Sequence, residues 1–310
     1  MNGLEYIKSK QRNWASRRDF TLLGGTIPDK GEKNYLEKLE DNLFQPLTSE
    51  ILSQFENGDG SETTDNQSRL AKMKALHSSS ATVVNVFQYW HDKDVYPILY
   101  ACKLISKHPS GVDIMFENIG SNQPKIFSIS RNPLANKIKF EEKFTISDDT
   151  KTFPFPPNID VIIDNFQPQI YAIEAKFTEP YSSRKPKGIS EKYIDNVSFW
   201  RGLPNLYELA KEICPDNNNQ YLDTAQLIKH ILGLKNKHNK NGFRLLYLWY
   251  DVIGQEGAEH RKEIEQFEKI AKRDNIKFSH ITYQEVIMKL AEEFYVGNKE
   301  YCNYMTERYV

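Results

Sequence analysis

Cysteine is scarce in this chain. Three residues in 310, Cys102, Cys214 and Cys302, stand far apart with no C-x-x-C pair among them. That spacing excludes a disulfide framework or a zinc knuckle and fits a reducing cytoplasm. Long apolar runs are missing too. The longest, Leu245 to Tyr250, falls far short of the ~20 residues that cross a bilayer. The opening M-N-G-L-E-Y-I-K-S-K-Q-R lacks the apolar h-region of a secretory leader, so a soluble protein without a membrane partner is expected. There is no excess of one charge: 41 Lys and Arg face 42 Asp and Glu, a formal net charge of −1. This argues against a surface coated in positive charge but leaves room for a local basic cleft. No internal repeat is visible. No serine has His and Asp partners at recognisable spacings, so Ser78, Ser79 and Ser80 read as N-caps for the apolar stretch Ala81 to Trp90. His91-x-Lys93 lacks the downstream Asp and the second copy that a phospholipase-type site requires.

What is present reads as alternating helices and strands. Lys8 to Arg18 is a basic helix around Trp14, a solvated element with one docked aromatic more than a DNA arm. Helical spacing at Tyr35, Leu36, Leu39 and Leu43, broken by Pro46, predicts two helices over 34–55. Gly58 to Ser61 is a turn. Val112–Asn118 and Ile126–Ser130 read as outer strands, and Ile138, Phe140, Phe144 and Ile146 alternate across another. Tyr221 to Leu234 is an amphipathic helix with Gly233 near its end, and Phe243 to Tyr250 a buried strand. Glu259–Arg273 is a charged helix, Lys277–Thr282 a strand and Tyr283–Phe294 a closing helix. Residues 1–65 form a helical elaboration and 66–310 an α/β core, together one compact unit.

The most informative stretch is P-P-N-I-D-V-I-I-D-N-F-Q-P-Q-I-Y-A-I-E-A-K-F, residues 156 to 177. Ile159–Ile163 and Ile170–Phe177 are β-branched and aromatic runs, and Pro168 breaks the ladder between them. A turn centred on Gln167 sets opposite one another residues whose numbers sum to 334, so Asp160 faces Glu174. Opposed Cβ atoms lie about 4.5–5.5 Å apart, within the span of one divalent ion. Lys176 shares that face about 6–7 Å along the strand, with Ile162 and Ala172. Ile159, Val161, Ile163, Tyr171, Ile173 and Phe177 point into a core. Two carboxylates and an ammonium so placed can bind Mg²⁺ and hydrolyse a phosphodiester. The same pattern also occurs as surface ion pairs on a solvated sheet, but apolar neighbours on the acidic face make that burial costly without a metal or a partner.

Asp160 with Glu174-Ala175-Lys176 resembles the acid and E-x-K of the PD-(D/E)XK nuclease superfamily, restriction-endonuclease-like branch. F-E-N-G-D-G-S-E and K-M-K-A-L-H-S-S-S-A-T-V-V-N-V-F-Q-Y-W, within 55–90, are similar to a bacterial subfamily of it, as is Y-L-D-T-A-Q-L-I-K-H-I-L-G-L at 221–234. The likeness spans about Asn34 to Phe294. Asn158 stands where the superfamily name has Pro, a position without a catalytic atom. The resemblance implies a mixed β-sheet core in the order α-β-β-β-α-β, flanked by helices. It also implies a type II restriction endonuclease of a bacterial or archaeal cytoplasm, cutting double-stranded DNA as a homodimer. A repair or structure-specific nuclease and an inactive DNA-binding protein are the alternatives. The metal would be Mg²⁺, with Mn²⁺ able to substitute, held by Asp160, Glu174 and the Ala175 carbonyl.

Further candidates surround this set. Glu141, matching an F-E-x-K strand, and Glu142 compete for the place of a third acid. Glu62 either joins them or caps the next helix. Asp164 reads as a turn residue, and Glu179 reaches in from outside the strand. Gln226 either bonds the lysine or a water, or faces solvent. His230, one turn on, reads as structural. Arg184, Lys185 and Lys187, and Lys235, Lys237, His238 and Lys240, are two clusters suited to DNA phosphates.

Overall fold

The computed structural model describes residues 1–57, 62–105, 138–164 and 169–310. The turn at Gly58–Ser61, the strands expected at Val112–Asn118 and Ile126–Ser130, and Asn165–Pro168 lie outside those residues. The architecture is mixed α/β. Four helices come first: α1 (Gly3–Ser16), α2 (Ser49–Glu56), α3 (Ser79–Phe87) and α4 (Tyr96–Ala101). Strands β1 (Ile138–Lys143), β2 (Asn158–Asp164) and β3 (Ile170–Lys176) follow. Short helices α5 (Glu191–Asp195) and α6 (Pro204–Glu212) lead to the crossover helix α7 (Thr224–His238) and strand β4 (Phe243–Trp249). Helix α8 (Gln255–Arg273), strand β5 (Phe278–Thr282), α9 (Tyr283–Glu293) and α10 (Lys299–Tyr309) complete the chain.

The sheet order is β1-β2-β3-β4-β5, antiparallel across the first three strands and parallel across the last three. Val161 pairs with Ile173, Ile162 with Ala172 and Ile163 with Tyr171, the register read from a turn at Gln167. Alternation then sorts the side chains. Val161, Ile163, Tyr171, Ile173 and Phe177 pack on one face with α3, α4, α9 and α10 residues, a cluster that also takes in Ile7 and Leu43. Ile162, Ala172, Leu245 and Tyr247 pack on the other, against Leu227, Ile228 and Ile231 of α7 and Ile264 of α8. Ile159 departs from the expected face and joins this second cluster. The pleat loses its alternation at Asp160, opposite Glu141, where β1 leaves the extended region at φ +54°.

Two helix expectations are corrected. Residues 34–46 hold only a 3₁₀ turn at Glu40–Asn42, because the Tyr35 amide and carbonyl both bond Leu23 while the Asn34 carbonyl and Leu36 amide bond Leu76 and Lys74. Long-range pairing overrides helical spacing here. Gly233 does not end α7, which runs on to His238; a Cβ on Gly233 would lie 2.8 Å from the Phe144 carbonyl oxygen, so the glycine admits close helix–strand contact. Ser78 is the N-cap of α3, its Oγ accepting from the Ala81 amide at 3.2 Å. The basic helix α1 lies against α10, with Trp14 buried and Lys8 and Arg12 paired to Glu32. No helix among the described residues is long and apolar enough to cross a membrane.

Candidate active site

The sheet register lines up a row of chemistry. Phe140 faces Val161 and Glu142 faces Ile159, so Glu141 falls opposite Asp160. The β2–β3 register sets Asp160 opposite Glu174. Glu174 is paired with Tyr247, and Tyr247 with His280. Three acids on three adjacent strands thus come together near the C-terminal end of β3.

At that end β2 and β3 separate, and the Asp160 side chain takes over where backbone pairing stops. Its Oδ2 accepts from the Ala175 amide at 2.7 Å. Lys176 turns its carbonyl to β4, where the Tyr250 amide donates to it at 2.9 Å. Since polar groups of successive strand residues alternate sides, Ala175 turns its carbonyl toward β2, on the side of Asp160. Lys176 Nζ donates to Glu174 Oε1. Glu174 and His230 are each 1 % exposed, with His230 Nε2 2.9 Å from Glu174 Oε2. That contact is close but lacks hydrogen-bond alignment, and both atoms are buried without another partner.

The charges explain the titration behaviour. Burial raises the Asp160 carboxyl well above the usual range, and the Glu174 charge adds to it. Burial, then Glu62 and Glu174, push Glu141 up to about 7. Burial also raises Glu174, but Lys176 and His230 outweigh it and hold this carboxyl down at about 2. Burial lowers the Lys176 ammonium, yet Glu174 and Asp160 reverse that and keep it charged. With Glu141, Asp160 and Glu174 all ionised, the site would carry more negative charge than Lys176 neutralises.

That imbalance, the unaligned Glu174 Oε2 and the all-oxygen donor set fit a hard divalent cation. Among the described residues, no group of three or more His, Cys, Asp or Glu side chains is arranged as a metal cage. The oxygen donors gathered here are two carboxylates and a backbone carbonyl.

The other candidates sort by contact. Glu141 accepts from Asn158 Nδ2 and faces the acids, whereas Glu142 is paired outward with Lys237 at 3.0 Å. Glu62 lies near enough to raise Glu141, with Ser80 Oγ at 3.0 Å and Lys72 Nζ at 2.8 Å on its carboxylate. Glu179 caps the turn after β3, accepting from the amides of Phe177 and Thr178. Asp164 is exposed at the end of β2. Gln226 is half-buried one turn before His230. Helix α7 is the crossover between parallel β3 and β4 and so runs against them.

His230 is the contact that sequence reasoning took as structural. Its signal was available: it lies four residues after Gln226, on the same helical face. Tyr247 and His260 were not singled out. His260, held near 3 by burial, is neutral. Tyr181 donates to the Tyr250 carbonyl at 2.8 Å, so His260 Nδ1 donates to Tyr181 and Nε2 accepts from Tyr247. The Tyr247 proton is thereby directed away from Glu174.

The family described as Restriction Endonuclease associating with ARP matches residues 8–310. The chain belongs to that family. No curated protein and no solved structure matches it. Membership makes a nuclease the coarse functional class, and places DNA among the substrates the family's description implies.

The two basic clusters differ. Arg184, Lys185 and Lys187 are exposed on the loop after β3, and Lys185 and Lys187 line a hollow of about 730 Å³. Lys235, Lys237 and Lys240 are engaged within the chain. Lys235 donates to the Phe199 carbonyl at 3.0 Å and Lys240 to that of Gly202 at 2.8 Å. Lys237 pairs with Glu142 and lies over the Phe144 ring, which His238 also touches.

Proposed function

We propose that this protein is a Mg²⁺-dependent DNA endonuclease of the PD-(D/E)XK type, cutting duplex DNA at a specific sequence as a type II restriction enzyme. The observation that carries the reading is the row Glu141, Asp160, Glu174 with the half-buried Lys176 paired to Glu174 at its end. Asp160, Glu174 and the Ala175 carbonyl would hold the metal, with Glu141 facing it and Glu62 behind Glu141. When bound, Mg²⁺ neutralises the phosphate and lowers the pKa of water beside it. Lys176 keeps its proton, so it orients the attacking water or steadies the charge on the pentavalent phosphate. His230 packs against Glu174 and restricts its rotamer, while Gln226 hydrogen-bonds Lys176 or the water. Arg184, Lys185 and Lys187 contact phosphates beyond the cut. Cutting both strands needs two such sites, and a homodimer supplies them.

The test is incubation with long, sequence-diverse duplex DNA, with Mg²⁺ or with chelator, beside Lys176→Ala. Discrete Mg²⁺-dependent fragments are expected, with the variant slower by at least about 10²-fold and still binding DNA. A smear would redirect the reading to a structure-directed or nonspecific nuclease. Uncut DNA with a mobility shift would leave only a binding protein.

A further inference from the structure

Phe155 is 82 % exposed, although it belongs to a chain segment held firmly on both sides. Pro154, Pro156 and Pro157 flank it, and each fixes its own φ. Two residues before it, Phe153 is buried edge-on against Tyr193 and Phe199, at 5.1 and 5.3 Å between ring centroids. Two residues after it, the Pro157 carbonyl accepts from the Phe144 amide at 3.0 Å, and Pro157 packs at Gly233 of α7. The phenyl ring is thus presented to solvent on a rigid loop, where ordering it on a partner costs little entropy.

The loop runs directly into the candidate active site. Asn158, the next residue after Pro157, donates to Glu141, and Asp160 follows two residues on. Five residues of extended chain reach about 18 Å at most, so Phe155 lies within about five base steps, at 3.4 Å each, of the acids.

Cations lie on the turn that packs against the same loop. Lys235 and Lys240 are both anchored on the 199–202 turn, which packs through Phe199 against Phe153. Burial lowers the Lys235 ammonium, and Lys240 and Arg201 beside it lower it further, so three positive groups are close together. Lys151 and Arg201 are exposed and carry no ion pair among the described residues. Of the acids on this loop, Asp149 is occupied by the amides of Lys151 and Thr152, at 3.1 and 3.2 Å. Asp148 lies in the hollow that Lys235 shares. A rigid exposed aromatic, on a loop that packs against a turn bearing lysine and arginine and runs into the acidic row, fits a base step held by its phosphates.

We infer that Phe155 is a wedge that stacks on a nucleobase of the duplex beside the cut, with Lys235, Lys240 and Arg201 on the flanking phosphates. The inference rests on the nuclease reading above. It is tested with Phe155→Trp and Phe155→Ala. The four native tryptophans, Trp14, Trp90, Trp200 and Trp249, are all buried. Emission of the Phe155→Trp variant in excess of wild type therefore reports this position alone. The probe is long mixed-sequence duplex DNA, with Ca²⁺ in place of Mg²⁺ to prevent cutting.

DNA is expected to quench that excess emission and shield it from acrylamide. Phe155→Ala should bind about five- to hundred-fold more weakly, the loss that accompanies removal of one stacked aromatic, with an unchanged melting temperature. Unquenched emission, or wild-type affinity and cleavage in Phe155→Ala, would overturn the wedge and leave the nuclease reading standing. Wild-type protein that neither binds nor cuts DNA would overturn both. Self-association lost in Phe155→Ala, with DNA affinity intact, would overturn the wedge and assign the ring to an interface between copies.

Discussion

Replacing Glu141 by Gln should stabilise the metal-free protein while slowing cleavage. Glu141 titrates near 7 in the fold, against an ordinary 4.5, because it is buried beside Glu62 and Glu174. Between those values the folded state binds more protons than the unfolded one, so stability falls as pH rises from about 5 to 7 and is lowest above that. Ionised Glu141 then costs roughly 2–3 kcal/mol, after discounting its partial exposure. Gln carries no charge and keeps a carbonyl oxygen for Asn158 Nδ2, so no hydrogen bond is lost. In chelator at pH 8 the variant should melt about 3–6 °C above wild type; at pH 5 the two should nearly coincide. Asp160 is raised in the same direction, so the variant's pH slope should shrink without vanishing. Mg²⁺ should stabilise wild type more than the variant, because a cation removes the repulsion that the substitution has already removed. The assay is thermal unfolding at pH 5, 6, 7 and 8, with chelator or Mg²⁺. A variant less stable than wild type at pH 8 in chelator, or an undiminished slope, would refute the picture of crowded, under-neutralised acids.

Removing the positive charges of Arg184, Lys185 and Lys187 together should weaken DNA binding uniformly across sequences. It should also reduce the slope of log affinity against log salt by about 2–3, if each contacts one phosphate; filter binding across a salt series measures it. Gly233→Ala should destabilise the fold by about 1–3 kcal/mol despite its better helix propensity, because the new Cβ meets the Phe144 carbonyl at 2.8 Å. Urea unfolding at neutral pH reads that directly, and an unchanged or raised midpoint would show that α7 can shift outward at no cost.

The hairpin that carries the site was legible because strand geometry has a period of two and the turn residues are local. Pro168 and the β-branched runs set the register, and the register alone puts Asp160 opposite Glu174 with Lys176 on the same face. The parallel strand β4 and helices α8 and α9 were legible for a similar reason: each is a long run with one clear period. Other features depended on partners distant in the chain. Tyr35 and Leu36 have helical spacing, but Leu23 and Lys74 take their backbone groups. Glu141 and Glu142 are adjacent acids with equal claims in sequence, and only the positive φ at Glu141 and the Lys237–Glu142 pair separate them. His230 meets Glu174 only because α7 crosses back over β3. Local periodicity and turn chemistry are properties of neighbouring residues and can be read from the sequence; which carboxylate is buried, and what faces it, is decided by contacts that exist only once the sheet and its crossover helix have packed.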